Sequence, residues 1–111
     1  MSKRPVNLLL DDICQSMDKI DQYTTGTLFD TFSEDQKSVD AVVRNLEIIG
    51  EAANRLPTNF KEKHPEIDWH KIVGLRHRIV HEYFGIDIQI IWQILRKDLP
   101  ELRKALSKIR H

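Results

Sequence analysis

The chain has one cysteine in 111 residues, Cys14, so no disulfide can close within it. On an apolar helical stretch that thiol is expected to be buried and inert, which suits a reducing compartment. Glycine and proline are scarce, four of each, and they fall where helices would begin or end. There is no internal repeat, no low-complexity segment and no strand-like alternation of useful length. No excess of either charge is present: Lys and Arg number 17 against 17 Asp and Glu, which excludes a protein that coats nucleic acid by charge alone. The opening MSKRPVNLLLDD has two basic residues, but Asp11 and Asp12 end its apolar run before an export signal could form. With 41% apolar and 31% charged residues, the composition is that of a cytoplasmic globular protein with no need of a membrane. The length suits one domain over residues 1–111 with a core that needs neither disulfide nor structural metal.

The zero net charge hides a split. Residues 1–54 carry five basic against ten acidic groups, and residues 55–111 carry twelve against seven. From Trp69 to His81 there are Lys71, Arg76 and Arg78 with His70, His77 and His81, and no acid. Phosphate would prefer that stretch; a solvated basic face is the plainer alternative.

Hydrophobic spacing predicts an all-α chain of about five helices. The first covers Pro5 to Tyr23, with Leu9, Ile13, Met17 and Ile20 on its inner stripe. The loop Thr24, Thr25, Gly26 follows. The second runs from Glu34 to Leu56, with Ser33 as cap, Gln36 completing a capping box, and Val39, Val42, Val43, Leu46, Ile49 and Ala53 facing inward. Gly50 within it points to close helix packing. A short third helix spans Asn59 to His64 with Thr58 as cap and Pro65 as stop. The fourth starts after Asp68 and continues to Phe84, with Gly85 as its left-handed terminus. The fifth begins near Asp87, and Ile88, Trp92, Leu95, Leu99, Leu102, Leu106 and Ile109 alternate steps of four and three as a coiled-coil-like seam. Pro100 should kink or split it. Short connections between amphipathic helices imply an up-and-down bundle. Trp69 and Trp92 are expected in the core rather than as base-stacking platforms.

The segment GLRHRIVHEYFGID concentrates the chemistry. On a continuous helix Arg76 and His81 would be separated by about 7.5 Å of rise and about 140° of rotation, so a shared site needs a broad cleft or a second protomer, whereas Arg76 and Tyr83 would nearly share a face. A histidine titrates where it can take the proton of a ribose 2′-OH, and an arginine fork matches two phosphate oxygens, so these residue types suit metal-independent RNA cleavage. Glu51 and Asn54, three apart on the second helix, are candidates to orient Arg76 or His81, with ordinary exposed helical pairing as the alternative. Arg44 is less informative.

Two other functions fit parts of this pattern. A metal hydrolase could use His77 and His81, four apart, but no Glu lies between them, no third ligand is evident and Arg78 would sit close to the cation. A non-catalytic helical module that binds a nucleotide or a partner protein would use Arg76 only to hold phosphate.

Beyond the residues themselves, the chain resembles the HepT-like branch of the HEPN superfamily, whose ribonuclease toxins carry Arg, four residues, His, any residue, Tyr. Here these are Arg76, His81 and Tyr83. The likeness extends to VVRNLEIIGEAANRLP, HPEIDW, and FGID followed by IIWQIL, from Val42 to Leu102. It implies a helical bundle forming a symmetric homodimer, with Arg76 and His81 catalytic at a shared cleft, His77 supporting, and neither metal nor cofactor. It further implies the toxin of a type VII-like toxin–antitoxin pair cutting tRNA or mRNA rather than DNA. The partner would be a minimal nucleotidyltransferase antitoxin that silences the toxin by moving AMP from ATP to Tyr83. The family most often has Asn after the arginine; this chain has His77, a second titrating group.

Overall fold

Local sequence signals build most of the elements. The computed structural model describes residues 4–82 and 85–109, with side chains at 4–79 and 87–109. Helix α1, Val6–Thr24, starts on Pro5 and buries Leu9, Ile13, Met17 and Ile20, the expected stripe, together with Leu10 and Ser16. It ends in a loop where Gly26 has φ of 76°, a conformation that favours glycine.

Helix α2, Phe29–Glu34, was not expected from spacing. It forms because Phe32 is fully buried and packs with Phe29 against Trp92, at ring distances of 5.3 and 5.8 Å. Its presence corrects the cap of the next helix: Ser33 lies inside α2, and Asp35 caps α3, Gln36–Arg55, by accepting from the Ser38 N–H. The Ser38 hydroxyl also donates to Asp35 and holds its carboxyl below the usual value. Helix α3 buries Val39, Val42, Leu46, Ile49 and Ala53 as read from the sequence, with Val43 half-buried.

Helices α1 and α3 lie side by side and form the centre of the core. Ile13, Leu46 and Ile49 are completely enclosed there, each such burial contributing about 1.5–3 kcal/mol. Gly50 is where the next segment comes closest: a Cβ at that position would lie 3.3 Å from the Ile72 carbonyl oxygen. Close packing was the expected reason for this glycine.

Helix α4 is Thr58–Lys63, and Thr58 is its first helical residue rather than its cap, which is Pro57. Trp69 is buried and donates its indole N–H to the His64 carbonyl. Helix α5, Trp69–Val73, is capped by Asp68 as anticipated, with the Lys71 N–H as donor.

The expected helix through to Phe84 is corrected. The chain bends at Gly74, continues as α6, Leu75–Ile79, and then enters an antiparallel hairpin of β1, Val80–Glu82, and β2, Gly85–Ile86. The Ile79 carbonyl accepts from the Asp87 N–H, so the helix end is tied to the far side of the hairpin. The β-branched pair Ile79 and Val80 favours that exit, and Gly85 lies in a strand rather than at a helix terminus.

Helix α7, Ile88–Gln93, is capped by Asp87. It runs through a π-helical turn, Ile94–Asp98, into α8, Leu99–Ile109. The Leu99 N–H reaches back five residues to the Ile94 carbonyl, which gives Pro100, lacking an N–H, room for its ring. Pro100 therefore interrupts the helix as expected, by widening one turn. Leu99, Leu102 and Leu106 of the anticipated seam are buried, but in α7 and at the start of the π turn the buried residues are Ile91 and Ile94, while Ile88, Trp92 and Leu95 are half-buried. Arg103 ties α8 to α1 through Asp18 and Asp21. The architecture is an all-α bundle carrying one small hairpin. Cys14 is half-buried against the core rather than fully enclosed. Among the described residues, no helix is long and apolar enough to cross a membrane.

Candidate active site

Helix α6 presents its polar side chains in two directions, because residues two apart on a helix lie about 200° around its axis. Arg76 and His77 are exposed and face a cleft of about 530 Å³ whose other wall is α3, with Leu9 and Asp12 of α1 at its edge and Val73 of α5 beside them. Arg44, Glu47, Glu51, Asn54 and Arg55 line the α3 wall. The structure thus brings together four of the residues singled out from sequence, Arg76, His77, Glu51 and Asn54, from segments more than twenty positions apart. The helix carrying Arg76 ends at Ile79 and His81 has its backbone in β1, so the helical-wheel relations of His81 to Arg76 and His77, and of Tyr83 to Arg76, do not apply. The His81 side chain and Tyr83 lie outside the described residues.

Of the polar cleft residues, the sequence reading assigned no site role to Asp12, Glu47 and Arg55 and set Arg44 aside as uninformative. Their signal was available in part, because Arg44, Ile48, Glu51 and Arg55 follow steps of four, three and four on the helix face opposite the buried stripe. Asp12 is held by Arg4 in a two-pronged contact of 2.7 and 2.9 Å. Arg44, Arg55 and Arg76 have no ion pair or hydrogen bond among the described residues. The other described arginines are all engaged: Arg4 and Arg103 with aspartates, Arg78 with Asp98, and Arg96 with the Trp92 ring and the Thr27 carbonyl. The other histidines with described side chains are accounted for locally: His64 ends α4 and stacks near Phe60, and His70 is exposed on α5.

Arg78, two residues after Arg76, faces the opposite way. Its Nη1 is 2.8 Å from Asp98 Oδ2, and Lys71 Nζ is 2.9 Å from the other Asp98 oxygen. The Arg78 contact is a charge pair without hydrogen-bond alignment. This cluster pins α6 to the π turn. Burial alone would raise the Asp98 carboxyl, but Lys71 and then Arg78 outweigh it and hold the carboxyl below its ordinary 3.8. The folded chain therefore binds this proton less readily than the unfolded one, and the cluster's contribution is complete above the ordinary carboxylate range and lost as the pH falls through it. Asp98→Asn leaves two cations without a counter-charge and should cost about 1–3 kcal/mol at neutral pH. Denaturant melts from pH 7 down to pH 3 should converge for the two chains in acid; curves that stay parallel would dismiss the cluster as a source of stability.

The sequence matches known proteins along nearly its whole length. Residues 13–109 match the model of the family described as ribonuclease HepT-like. A Thermococcus cleftensis protein named probable ribonuclease HepT is 38% identical over 97% of this chain and 98% of its own. A candidate RNase of Caldanaerobacter subterraneus is 41% identical over 90% of this chain and 89% of its own. A candidate RNase of Methanocaldococcus jannaschii is 39% identical over 98% of this chain and 90% of its own. No solved structure matches the chain. Since the family match runs from within α1 to the end of α8 and takes in the α3, α5 and α6 walls of the cleft, the chain belongs to the ribonuclease HepT-like family.

Proposed function

We propose that this protein is a metal-independent endoribonuclease that cuts RNA in the cleft between α3 and α6, with Arg76 and His81 as its catalytic pair. The observation that carries the reading is the placement of Arg76, free of any partner among the described residues, on a cleft wall facing Glu51 and Asn54, in a chain whose relatives are named as RNases. His81 takes the proton of a ribose 2′-OH, the 2′-oxygen attacks the adjacent phosphorus, and the bond to the 5′-oxygen breaks as that oxygen takes a proton from solvent. A 2′,3′-cyclic phosphate and a 5′-hydroxyl result. Arg76 offers its fork to the non-bridging oxygens, where charge builds during the attack. His77 stands beside Arg76 and supports its placement, and Glu51 and Asn54 face both from α3.

The active form is a symmetric homodimer in the cytoplasm, the toxin of a type VII-like toxin–antitoxin pair, acting on tRNA or mRNA. Its partner is a nucleotidyltransferase antitoxin that transfers AMP to Tyr83. These parts rest on the family resemblance of Arg76, His81 and Tyr83 and their flanking segments. The test is direct: purified protein incubated with RNA in EDTA should yield fragments ending in 2′,3′-cyclic phosphate. Light scattering at micromolar concentration should report twice the chain mass of 13.1 kDa. An active monomer would dispose of the shared cleft, and cleavage that appears only on adding Zn²⁺ would favour a metal hydrolase.

A further inference from the structure

Engaged and unengaged arginines separate cleanly in this fold. Of the seven arginines among the described residues, four hold carboxylates, a carbonyl or a tryptophan ring, and the remaining three, Arg44, Arg55 and Arg76, line one and the same cleft. An arginine fork left without a partner is preorganised for a bidentate anion, and phosphate fits it best. Arg44 and Arg55 are eleven residues apart on α3, about three helical turns, so they project from nearly the same face about 16 Å from each other. Both are exposed, and Arg76 stands across from them on α6. A place in the last turn of α3 gives Arg55 a second reason to be basic, because a cation suits a helix C-terminus. Arg44 is mid-helix and has no such reason.

The two carboxylates between them set the arrangement further. Glu47 and Glu51 lie within the arginine row and repel phosphate there, so the groove favours backbone phosphates at its two ends. Asp12 adds little repulsion because Arg4 already holds it.

We infer that Arg44 and Arg55 form an RNA-binding track along α3, each gripping one backbone phosphate of a single strand on either side of the phosphate that Arg76 holds. This rests on the cleavage reading above and extends it from the reacting phosphate to its neighbours. A single strand can follow one helix face over this span and splay its bases away from the carboxylates, as single-strand recognition allows. The residues act in binding, so their loss is read in affinity before rate.

The experiment measures binding of a single-stranded RNA oligonucleotide, 2′-O-methylated to prevent cleavage, to the full chain across a salt series, with a cleavage assay on the unmethylated strand alongside. Arg44→Ala and Arg55→Ala should each weaken binding by roughly tenfold or more, as loss of a hydrogen bond to a charged group implies. Each should also flatten the plot of log affinity against log salt by about 0.7, the share of one phosphate contact in a single strand. Arg44→Lys and Arg55→Lys should keep the salt slope and recover only part of the affinity, since a point charge replaces a fork. Arg103→Ala removes an equal charge away from the cleft and should change neither quantity. A wild-type chain that cleaves RNA while the two alanine variants bind with unchanged affinity and slope would overturn the track and leave the cleavage reading standing. A wild-type chain that neither binds nor cleaves RNA would overturn both. Should the alanine variants instead shift the mass in solution without altering RNA affinity, the arginines belong to a subunit contact and the track is wrong.

Discussion

We expect His81→Ala to slow RNA cleavage by about 10²–10⁴-fold, the range that a positioned general base supplies, while the far-ultraviolet circular dichroism of the bundle stays that of the wild type. The residue has its backbone in β1, beyond the end of α6. Arg76→Ala should cost about 10²–10³-fold through lost stabilisation of charge on the phosphorane oxygens. Arg76→Lys should recover only part, because a compact ammonium cannot offer two parallel donors. In the wild type, the rate should climb with pH through the range in which histidine loses its proton and then level off. His77→Asn separates the two imidazoles: if His81 is the base, the climb survives in that variant and disappears in His81→Ala. Undiminished cleavage by His81→Ala would remove the proposed base altogether.

The second large effect we expect is silencing by AMP. Attack of the Tyr83 hydroxyl oxygen on the α-phosphorus of ATP forms a phosphodiester as the bond to pyrophosphate breaks and the phenolic proton is lost. The modified tyrosine carries a negative charge and a bulky nucleoside and belongs to the same motif as Arg76, so at a shared site it should pair with that guanidinium and repel the RNA phosphate that would otherwise occupy it. With ATP, Mg²⁺ and the partner nucleotidyltransferase, the residual cleavage rate should track the unmodified fraction measured by mass spectrometry. Tyr83→Phe should stay active and ignore the transferase. AMP mapped to another residue, or full-rate cleavage by the modified chain, would falsify this control.

What could be read in advance follows the range of the interaction responsible. The stripes of α1 and α3 and the caps Asp68 and Asp87 rest on contacts within one or two turns, and the sequence displays them directly. Helix α2 is too short to sustain itself and exists because Phe32 finds Trp92 sixty residues later, which spacing cannot reveal. The cap of α3 went astray for a related reason, since Ser33 and Asp35 are both suitable and only α2 decides between them. The hairpin after Ile79 was concealed because its histidine-rich sequence continues a helical pattern, while the bond from Asp87 to the Ile79 carbonyl closes it from eight residues away. In the cleft, the motif pointed to Arg76, with His77 standing where the family most often has Asn, and the three-residue spacing on the second helix pointed to Glu51 and Asn54. Arg44 and Arg55 became visible only when every other described arginine was found occupied. Arg78 shows the converse, since it sits in the same acid-free run as Arg76 and serves Asp98 instead.

The stretch Ile94–Asp98 holds one residue more than an ordinary α-helical turn would need. Deleting exposed Lys97 would restore regular winding and bring Leu99 to the fourth position after Ile94, so the buried residues Ile91, Ile94, Leu99, Leu102 and Leu106 would follow unbroken steps of three and four. Leu102 and Leu106 would keep facing the core, and Arg103 would keep facing Asp18 and Asp21. This stretch can thus shed one residue without turning α8 out of register, and the loop around Gly26, where a Cβ would meet nothing within 4 Å, can gain residues on the same terms.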